Sequence, residues 1–299
     1  MGIHFVDLLV SSVLGLVMFG VGLSLRAVDF GTIIKHPKEL LMALVGQLLG
    51  LPLVAFFLSL LNPSLSPELK TGFIILAASP GGATAGLIAY LFRGNVALSL
   101  SITTINSFIT LFSIPLVVNA GLIFFMGTQT ALSLPFWETV FQIFTITIIP
   151  ASLGLLLRHK RPNWADFLEK PARYVMLVLL FLVFLIKIFA GENQGGTALG
   201  WQDFQVVLPH ALVQNAASLL LGFYFLGWFK AAHPSRITAA VESGVQNTTL
   251  SFLIAGTLIG NQEMVIPPLI YSMFSFFTAS IFCFRANKKA GVDPPTNLR

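Results

Sequence analysis

Charged residues are scarce in this sequence. Asp, Glu, Lys and Arg make up 10% of the 299 residues, whereas soluble domains contain roughly 25%. Hydrophobic residues make up 56% and are gathered in blocks about 20 residues long, the length of a transmembrane helix. Strands of a membrane β-barrel would instead show alternating segments of about 10 residues. The composition therefore excludes an ordinary soluble domain and predicts an all-α polytopic membrane protein.

Features of an enzyme site are also lacking. Cys283 is the single cysteine, so no internal disulfide can form. The sequence contains no metal-ligand spacing, no nucleophile elbow and no pair of catalytic carboxylates. We therefore expect a protein that is not an enzyme and has no cofactor.

Nine membrane spans are predicted from the apolar blocks. They cover about 5–25, 40–61, 70–92, 96–124, 136–157, 173–190, 205–229, 237–259 and 264–284. With this count, fifteen of the 17 Lys and Arg residues fall on one side, and only Lys70 and Lys187 fall on the other. The positive-inside rule then predicts an external N-terminus and a cytoplasmic tail, 285–299, in a cell (plasma or inner) membrane. The net charge of +5 is explained by this topology, and no nucleic-acid partner is expected.

Two spans are interrupted in the middle. The third contains Pro80, Gly81 and Gly82, and the eighth contains Gly244 in "ESGVQN". Proline and glycine disfavour a continuous helix, although a simple proline kink is an alternative for the third span. The two spans are five apart and run in opposite directions, so spans 1–4 and 6–9 form a predicted inverted repeat. Interrupted segments at corresponding places in two halves indicate a transporter binding site.

The eighth span also carries a carboxylate, Glu242. An ionised carboxylate at mid-bilayer costs about 2.5–3.5 kcal/mol on insertion scales, and no buried Lys or Arg is evident as its partner. Nearby amides and hydroxyls favour a bound monovalent cation as the counter-charge. The alternative is a protonated Glu242 that makes structural hydrogen bonds.

Polar side chains also follow one face of the fourth span. Ser99, Thr103 and Asn106 are spaced i, i+4 and i+7. Membrane hydroxyls often bond their own helix, which is the alternative interpretation here. The amide of Gln47 in the second span needs several partners.

Three stretches resemble the bile acid:sodium symporter family. They are "MFGVGLSL" (18–25), "SPGGATAGLIAYLFRGNVALS" (79–99) and "VESGVQNTTL" (241–250). The resemblance covers nearly the whole chain and implies a nine-span, single transporter unit (1–299). It implies a core domain (40–124 and 205–284) in which the broken third and eighth spans cross. It also implies a panel domain (5–25 and 136–190) and alternating access between the two domains.

The resemblance also implies which residues bind ions and substrate. One sodium site would use Gln47, Glu242 and Gln246 with the carbonyls of Ser243 and Val245. The second family site would use Glu242, Ser99, Thr103 and a Ser-Asn pair, but this sequence has Ala85–Gly86 there, so Asn106 or Thr84 would have to substitute. Substrate would lie near Gly82, Ala83, Thr84 and Asn247, beside a crossover that also involves Pro80, Gly81 and Gly244.

The predicted function is sodium-coupled symport of a small organic anion, a carboxylate or a bile-acid-like molecule. The expected partners are this anion, sodium as the only metal, and the lipid bilayer; a monomer is compatible with the sequence. One alternative is proton-coupled or sodium-independent transport by the same fold. An alternative of another class is a membrane receptor that does not transport.

Overall fold

The computed structural model describes residues 5–24, 37–81, 84–127, 132–189, 196–197 and 199–292, and the regular structure in these ranges is entirely helical. We label the helices α1 to α11 in chain order. They are α1 (Phe5–Ser24), α2 (Pro37–Leu61), α3 (Pro67–Ala77), α4 (Ala85–Leu91), α5 (Val96–Met126), α6 (Phe136–Lys160), α7 (Pro162–Phe189), α8 (Trp201–Trp228), α9 (His233–Gly244), α10 (Thr248–Phe252) and α11 (Ile266–Lys289). A π-helical segment, Leu253–Leu258, extends α10, and a 3-10 turn, Glu263–Val265, precedes α11.

Several of these helices are long and apolar enough to cross a membrane. Within the described residues there are 5, namely α2, α5, α6, α8 and α11 with its preceding turn. Shorter apolar segments lie in α1 (Leu8–Ser24) and α7 (Val178–Phe189). For the described residues, these apolar helices confirm the prediction of an all-α polytopic membrane protein. The count of nine spans and the inverted repeat stay predictions.

The last helix continues beyond the predicted ninth span. We expected the span to end near residue 284 and the tail to begin at 285, but α11 continues to Lys289. Asn287 holds this extension against the rest of the protein, because its buried side chain donates a hydrogen bond from Nδ2 to the carbonyl oxygen of Phe92, at 2.8 Å. Part of the predicted tail is therefore packed helix.

Two helices contain a π-helical turn that ends two residues before a proline. In α2 the turn covers Gly46–Gly50 and precedes Pro52; in α6 it covers Phe144–Ile148 and precedes Pro150. Proline lacks the N–H that would bond the carbonyl four residues earlier, which favours a local change of register. The turn in α2 includes the buried Gln47. Such π-turns are frequent at functional sites.

Helix α1 packs closely on α6 and α7. A Cβ atom at Gly154 would overlap the carbonyl oxygen of Phe19, and one at Gly22 would overlap that of Ala151. Beyond these glycines, Arg158 donates from Nε to the Leu23 carbonyl, at 2.6 Å, and forms ion pairs with Asp166 and Glu169 of α7. These three helices are the ones that the family resemblance assigns to the panel.

The interrupted helices pack among the remaining ones. Helix α9 contacts α4, α5 and α8, and α3 contacts α5 and α11. A Cβ at Gly72 of α3 would lie 2.6 Å from the carbonyl oxygen of Met264, closer than real Cβ atoms approach. Glycine at this position therefore lets α3 lie directly against the start of α11.

Candidate functional site

The first helix break lies between α3 and α4. Helix α3 ends at Ala77, and the hydroxyl of Ser79 donates to the carbonyl of Ile75, at 2.9 Å. Pro80 has no N–H to continue the helix, and Gly81 has a φ of 69°, which favours glycine. Gly82 and Ala83, which are predicted to lie beside the substrate, are outside the described residues. Thr84 immediately precedes α4 and does not cap it with its side chain.

The second break lies between α9 and α10. Helix α9 ends at Gly244, whose carbonyl accepts hydrogen bonds from Asn215 Nδ2, at 2.9 Å, and from the Tyr271 hydroxyl, at 2.8 Å. Asn247 then caps the start of α10, and its Oδ1 accepts from the N–H of Leu250, at 3.1 Å. The carbonyl exposed by the break is thus satisfied by neighbouring helices.

The two breaks are in direct contact. The N–H of Asn247 donates to the carbonyl of Ser79, with 2.8 Å between the atoms. On either side of this bond, α10 contacts α3, and α9 contacts α4. A Cβ at Gly81 would lie 3.1 Å from Glu242 Oε2, so the turn after Pro80 passes close beside the carboxylate.

Glu242 is fully buried at this junction. The Ser99 hydroxyl donates to its Oε1, and the Thr103 hydroxyl lies 3.4 Å from Oε1 and 3.3 Å from Oε2. These two hydroxyls therefore bond the carboxylate and not their own helix, contrary to the alternative considered above. Across the described part of the chain, the ion pairs belong to Arg158, and Glu242 has no cationic partner.

Three amide side chains lie buried in the same region. Asn106 Nδ2 donates to Gln47 Oε1, which joins α5 to the π-turn of α2. Four other amide atoms have no hydrogen-bond partner among the described residues: Gln47 Nε2, Asn106 Oδ1, and the Oε1 and Nε2 atoms of Gln246. Unsatisfied buried polar groups cost about 1–3 kcal/mol each, so this cluster is incomplete as it stands.

The predicted site residues thus form two groups along one face of α5. Ser99 and Thr103 bond Glu242, whereas Asn106 bonds Gln47. Thr103 and Asn106 are separated by about 4.5 Å along the helix axis, at 1.5 Å per residue. Ser243 and Val245 are buried beside the second break. Among the described residues no hydrogen bond joins Asn106 to Glu242, so Asn106 lies with Gln47 and not with the carboxylate.

A small cavity of about 20 Å³ lies against the junction. Its volume is enough for about one water molecule. It lies between α1, α5, α6 and the two breaks, and it is lined by Met18, Val21, Pro80, Gly81, Thr103, Ser107, Thr110, Ile143, Thr147, Asn247 and Leu250. Of the predicted substrate residues that the structure describes, Asn247 is in this lining and Thr84 is not.

Several lining hydroxyls were missed by the sequence analysis. Ser107 and Thr110 continue the polar face of α5, and Thr147 lies in the π-turn of α6. Each donates its proton to the carbonyl of its own helix four residues earlier, at 2.8, 2.6 and 2.7 Å. The spacing of Thr103, Ser107 and Thr110 was a usable signal, whereas the position of Thr147 depends on how α6 packs.

A membrane protein in which interrupted helices meet around a buried carboxylate has the architecture of a secondary transporter. The comparison with protein families agrees: the model of the Sodium Bile acid symporter family matches residues 12–196, and the chain belongs to this family. It is therefore a membrane transport protein and not an enzyme, as predicted.

Individual relatives are distant but match along most of the chain. The chain is 26% identical to the "Uncharacterized sodium-dependent transporter YocS" of Bacillus subtilis, over 92% of this chain and 82% of that protein. It is 27% identical to the human "Sodium/bile acid cotransporter 4", over 93% of this chain and 63% of the relative. It is 28% identical to the "Probable sodium/metabolite cotransporter BASS1, chloroplastic" of Arabidopsis thaliana, over 90% and 64%. The chain thus spans less than two thirds of the length of the latter two.

Proposed function

We propose that this protein is a sodium-coupled symporter that moves a small organic anion across a cell membrane by alternating access. The main support for this proposal is the junction, by which we mean the contact between the two helix breaks. Two helix breaks, joined by the hydrogen bond from Asn247 to Ser79, hold the buried Glu242 beside amide groups that lack partners. A bound cation supplies the missing counter-charge and the missing contacts together. The names of the relatives support sodium as that cation.

The first sodium site consists of Gln47, Glu242 and Gln246, with the backbone carbonyls of Ser243 and Val245. Its side chains are buried, and both amide atoms of Gln246 are unpaired among the described residues. Rotating the amide groups of Gln47 and Asn106 by 180° keeps their hydrogen bond, with Gln47 Nε2 now donating to Asn106 Oδ1. This rotation turns the Gln47 oxygen toward the side where Nε2 lacked a partner, and sodium requires oxygen ligands.

A second cation position, formed by Glu242, Ser99 and Thr103, offers fewer ligands. These three side chains are already in contact. A Cβ at Gly86 would lie 3.5 Å from the Ser99 hydroxyl oxygen, so position 86 faces this group but provides no ligand atom. We therefore assign one sodium to the Gln47 group and treat Ser99 and Thr103 as partners of the carboxylate. The alternative coupling ion is a proton bound to Glu242. This alternative is supported by Gly86, because glycine has no side chain that could bind a second sodium ion.

We place the substrate site at the cavity between the proposed panel and core domains. The panel, 5–25 and 136–190, supplies Met18, Val21, Ile143 and Thr147, and the core, 40–124 and 205–284, supplies the remaining lining residues. The anion would bind near Gly82, Ala83, Thr84 and Asn247. A space of about 20 Å³ is too small for an organic anion, so substrate entry requires the panel to move relative to the core. Such movement around a fixed site is alternating access.

The basic residues support an orientation with the N-terminus outside and the C-terminus in the cytoplasm. For the substrate itself, the names of the relatives include both bile acid and metabolite transport. We propose a small carboxylate as the first candidate, because the cavity is small and its lining combines apolar side chains with the polar side chains of Thr103, Ser107, Thr110, Thr147 and Asn247.

The test is uptake into proteoliposomes. Purified protein is reconstituted, and labelled carboxylates and bile acids chosen by a thermal-shift screen are supplied with an inward sodium gradient. Accumulation with sodium, and its loss when choline replaces sodium, supports the proposal. Accumulation driven by a pH gradient in choline supports proton coupling instead. Ligand binding without accumulation under any gradient supports a receptor and contradicts transport.

A further inference from the structure

A large groove lies between helices α8 and α11, apart from the candidate site. Its volume is about 690 Å³. Its apolar part is formed mainly by Leu212, Ala216, Leu219, Leu220, Phe223, Tyr224, Ile281 and Phe282. Leu212, Leu220, Tyr224 and Ile281 are between 40% and 54% exposed. These exposed side chains lie on long apolar helices, so the groove opens toward the lipid.

One end of the groove is strongly basic. Arg236, Arg285 and Lys289 line this end together with His233, and no Asp or Glu is among the lining residues. Throughout the described ranges, the ion pairs involve Arg158 and none of these three cations. The charge is therefore available to an external anion.

The position of Arg236 is fixed by α8. Its guanidinium lies 4.0 Å from the centre of the Phe223 ring, and its Nε donates to the Phe223 carbonyl, at 3.2 Å. His233 is held in turn by Asn287 Oδ1, 2.9 Å from its Nε2. The basic end is thus built from the start of α9 and the ends of α8 and α11.

The groove matches a lipid in length as well as in charge. From Leu212 to Tyr224, α8 advances about 18 Å at 1.5 Å per residue. Half of a bilayer's hydrocarbon core is about 15 Å thick. The apolar part therefore has the length of acyl chains in one leaflet, and the basic part lies where the headgroup of that leaflet would be. Basic pockets between membrane helices are known to hold anionic headgroups.

We propose that this groove is a binding site for an anionic phospholipid, with the phosphate at Arg285, Lys289 and Arg236 and the acyl chains along α8. A free phosphate ion would leave the apolar part unused, and an acidic peptide could not lie along a surface that faces hydrocarbon. The proposal does not depend on sodium coupling, because neither Glu242 nor the amide cluster lines the groove.

Native mass spectrometry of the detergent-solubilised protein tests the charged end. Phosphatidylglycerol and phosphatidylcholine with identical acyl chains are added in equal amounts. We expect a preferential 1:1 phosphatidylglycerol complex, and we expect Arg285→Gln with Lys289→Gln to weaken it about tenfold or more, given the gain of about 1 kcal/mol per basic residue. The matched control, Lys160→Gln with Arg161→Gln, removes two exposed charges outside the groove and should leave the complex unchanged. Equal binding of both lipids, or equal losses in both double variants, would overturn the proposal.

A second pair of variants tests the apolar part. Ala216→Trp fills the groove, whereas Val213→Trp places the same ring on an exposed position of α8 that does not line it. Loss of phosphatidylglycerol binding in the first variant alone supports the site. If excess inorganic phosphate displaces the lipid, the groove binds an anion and not a lipid. If Ala216→Trp binds phosphatidylglycerol as well as Val213→Trp does, the groove does not hold the lipid. Either result would show that the lipid assignment is wrong.

Discussion

The N–H of Asn247 and the carbonyl oxygen of Ser79 are 2.8 Å apart and form a hydrogen bond between the two helix breaks. The residues are far apart in sequence, and each lies where its own helix has ended. The bond therefore satisfies groups that neither helix can satisfy. It also fixes the turn after Pro80 against Glu242, with the Gly81 Cβ position 3.1 Å from the carboxylate. This backbone contact therefore contributes to the geometry of the site.

Replacing Asn247 by proline should be more destabilising than replacing it by alanine. Alanine removes only the side-chain cap of α10, at a cost of about 1 kcal/mol. Proline also removes the N–H and leaves the Ser79 carbonyl without its donor, which adds about 1–3 kcal/mol. Thermal unfolding of the two variants in the same detergent measures the difference. Equal midpoints for Asn247→Pro and Asn247→Ala would show that the crossing bond contributes nothing.

Neutralising Glu242 should abolish the response to sodium. In Glu242→Gln the side chain can still accept hydrogen bonds from Ser99 and Thr103, so the fold should be retained while the counter-charge for the cation is lost. Saturating sodium, about 100 times its dissociation constant, should stabilise the unaltered protein by about 2.7 kcal/mol and the variant not at all. Glu263→Gln, at an exposed carboxylate that accepts from Ser66 at 2.6 Å, is the control. A sodium-dependent shift that survives in Glu242→Gln rules out the assignment of this carboxylate.

Part of this site could be predicted because its causes are local. Pro80 followed by two glycines disfavours a continuous helix through local backbone effects, and the carboxylate of Glu242 is unfavourable in any apolar block. The contacts across helices could not be predicted. The pairing of Asn106 with Gln47 and of Ser99 with Glu242 depends on how α2, α5 and α9 are arranged, which the spacing along α5 does not determine.

Tertiary contacts also explain the other departures from the sequence analysis. The charge count assigns Lys187 to one side of the membrane but does not show its surroundings; in the structure it is fully buried and donates from Nζ to Gln262 Oε1, at 3.2 Å. The contact of Asn287 with Phe92 holds the extension of α11 in the same way. Both residues are polar, and only the fold decides whether a partner lies within reach.

Replacing Gln246 by methionine should make the sodium-free protein more stable and the transporter inactive. Both amide atoms of Gln246 are buried without partners in the described structure, and an apolar side chain of similar size avoids that cost of about 1–3 kcal/mol per group. Thermal unfolding without sodium and uptake with sodium measure the two effects. Gln214→Met is the matched control for uptake: Gln214 is buried outside the proposed site, donates to the Phe73 carbonyl at 3.4 Å and has an unpaired Oε1 of its own, so this variant should keep sodium-driven uptake. If Gln246→Met transports normally, Gln246 does not bind sodium.

Two glycines on the packed pair α1 and α6 should respond to alanine in opposite directions. At Gly154 a Cβ would overlap the Phe19 carbonyl, which belongs to the rigid backbone of α1, so Gly154→Ala must separate the two helices and should cost about 1–3 kcal/mol. At Gly15 the nearest atoms lie at 3.7 Å, an ordinary contact distance, and alanine there should gain up to about 1 kcal/mol because it favours the helix. Thermal unfolding of both variants in one detergent provides the comparison. A Gly154→Ala protein as stable as Gly15→Ala would mean that α1 and α6 are not packed as closely as described. If α1 and α6 are packed as described, Gly154→Ala should also weaken uptake, because Met18 of α1 and Thr147 of α6 line the cavity at the junction.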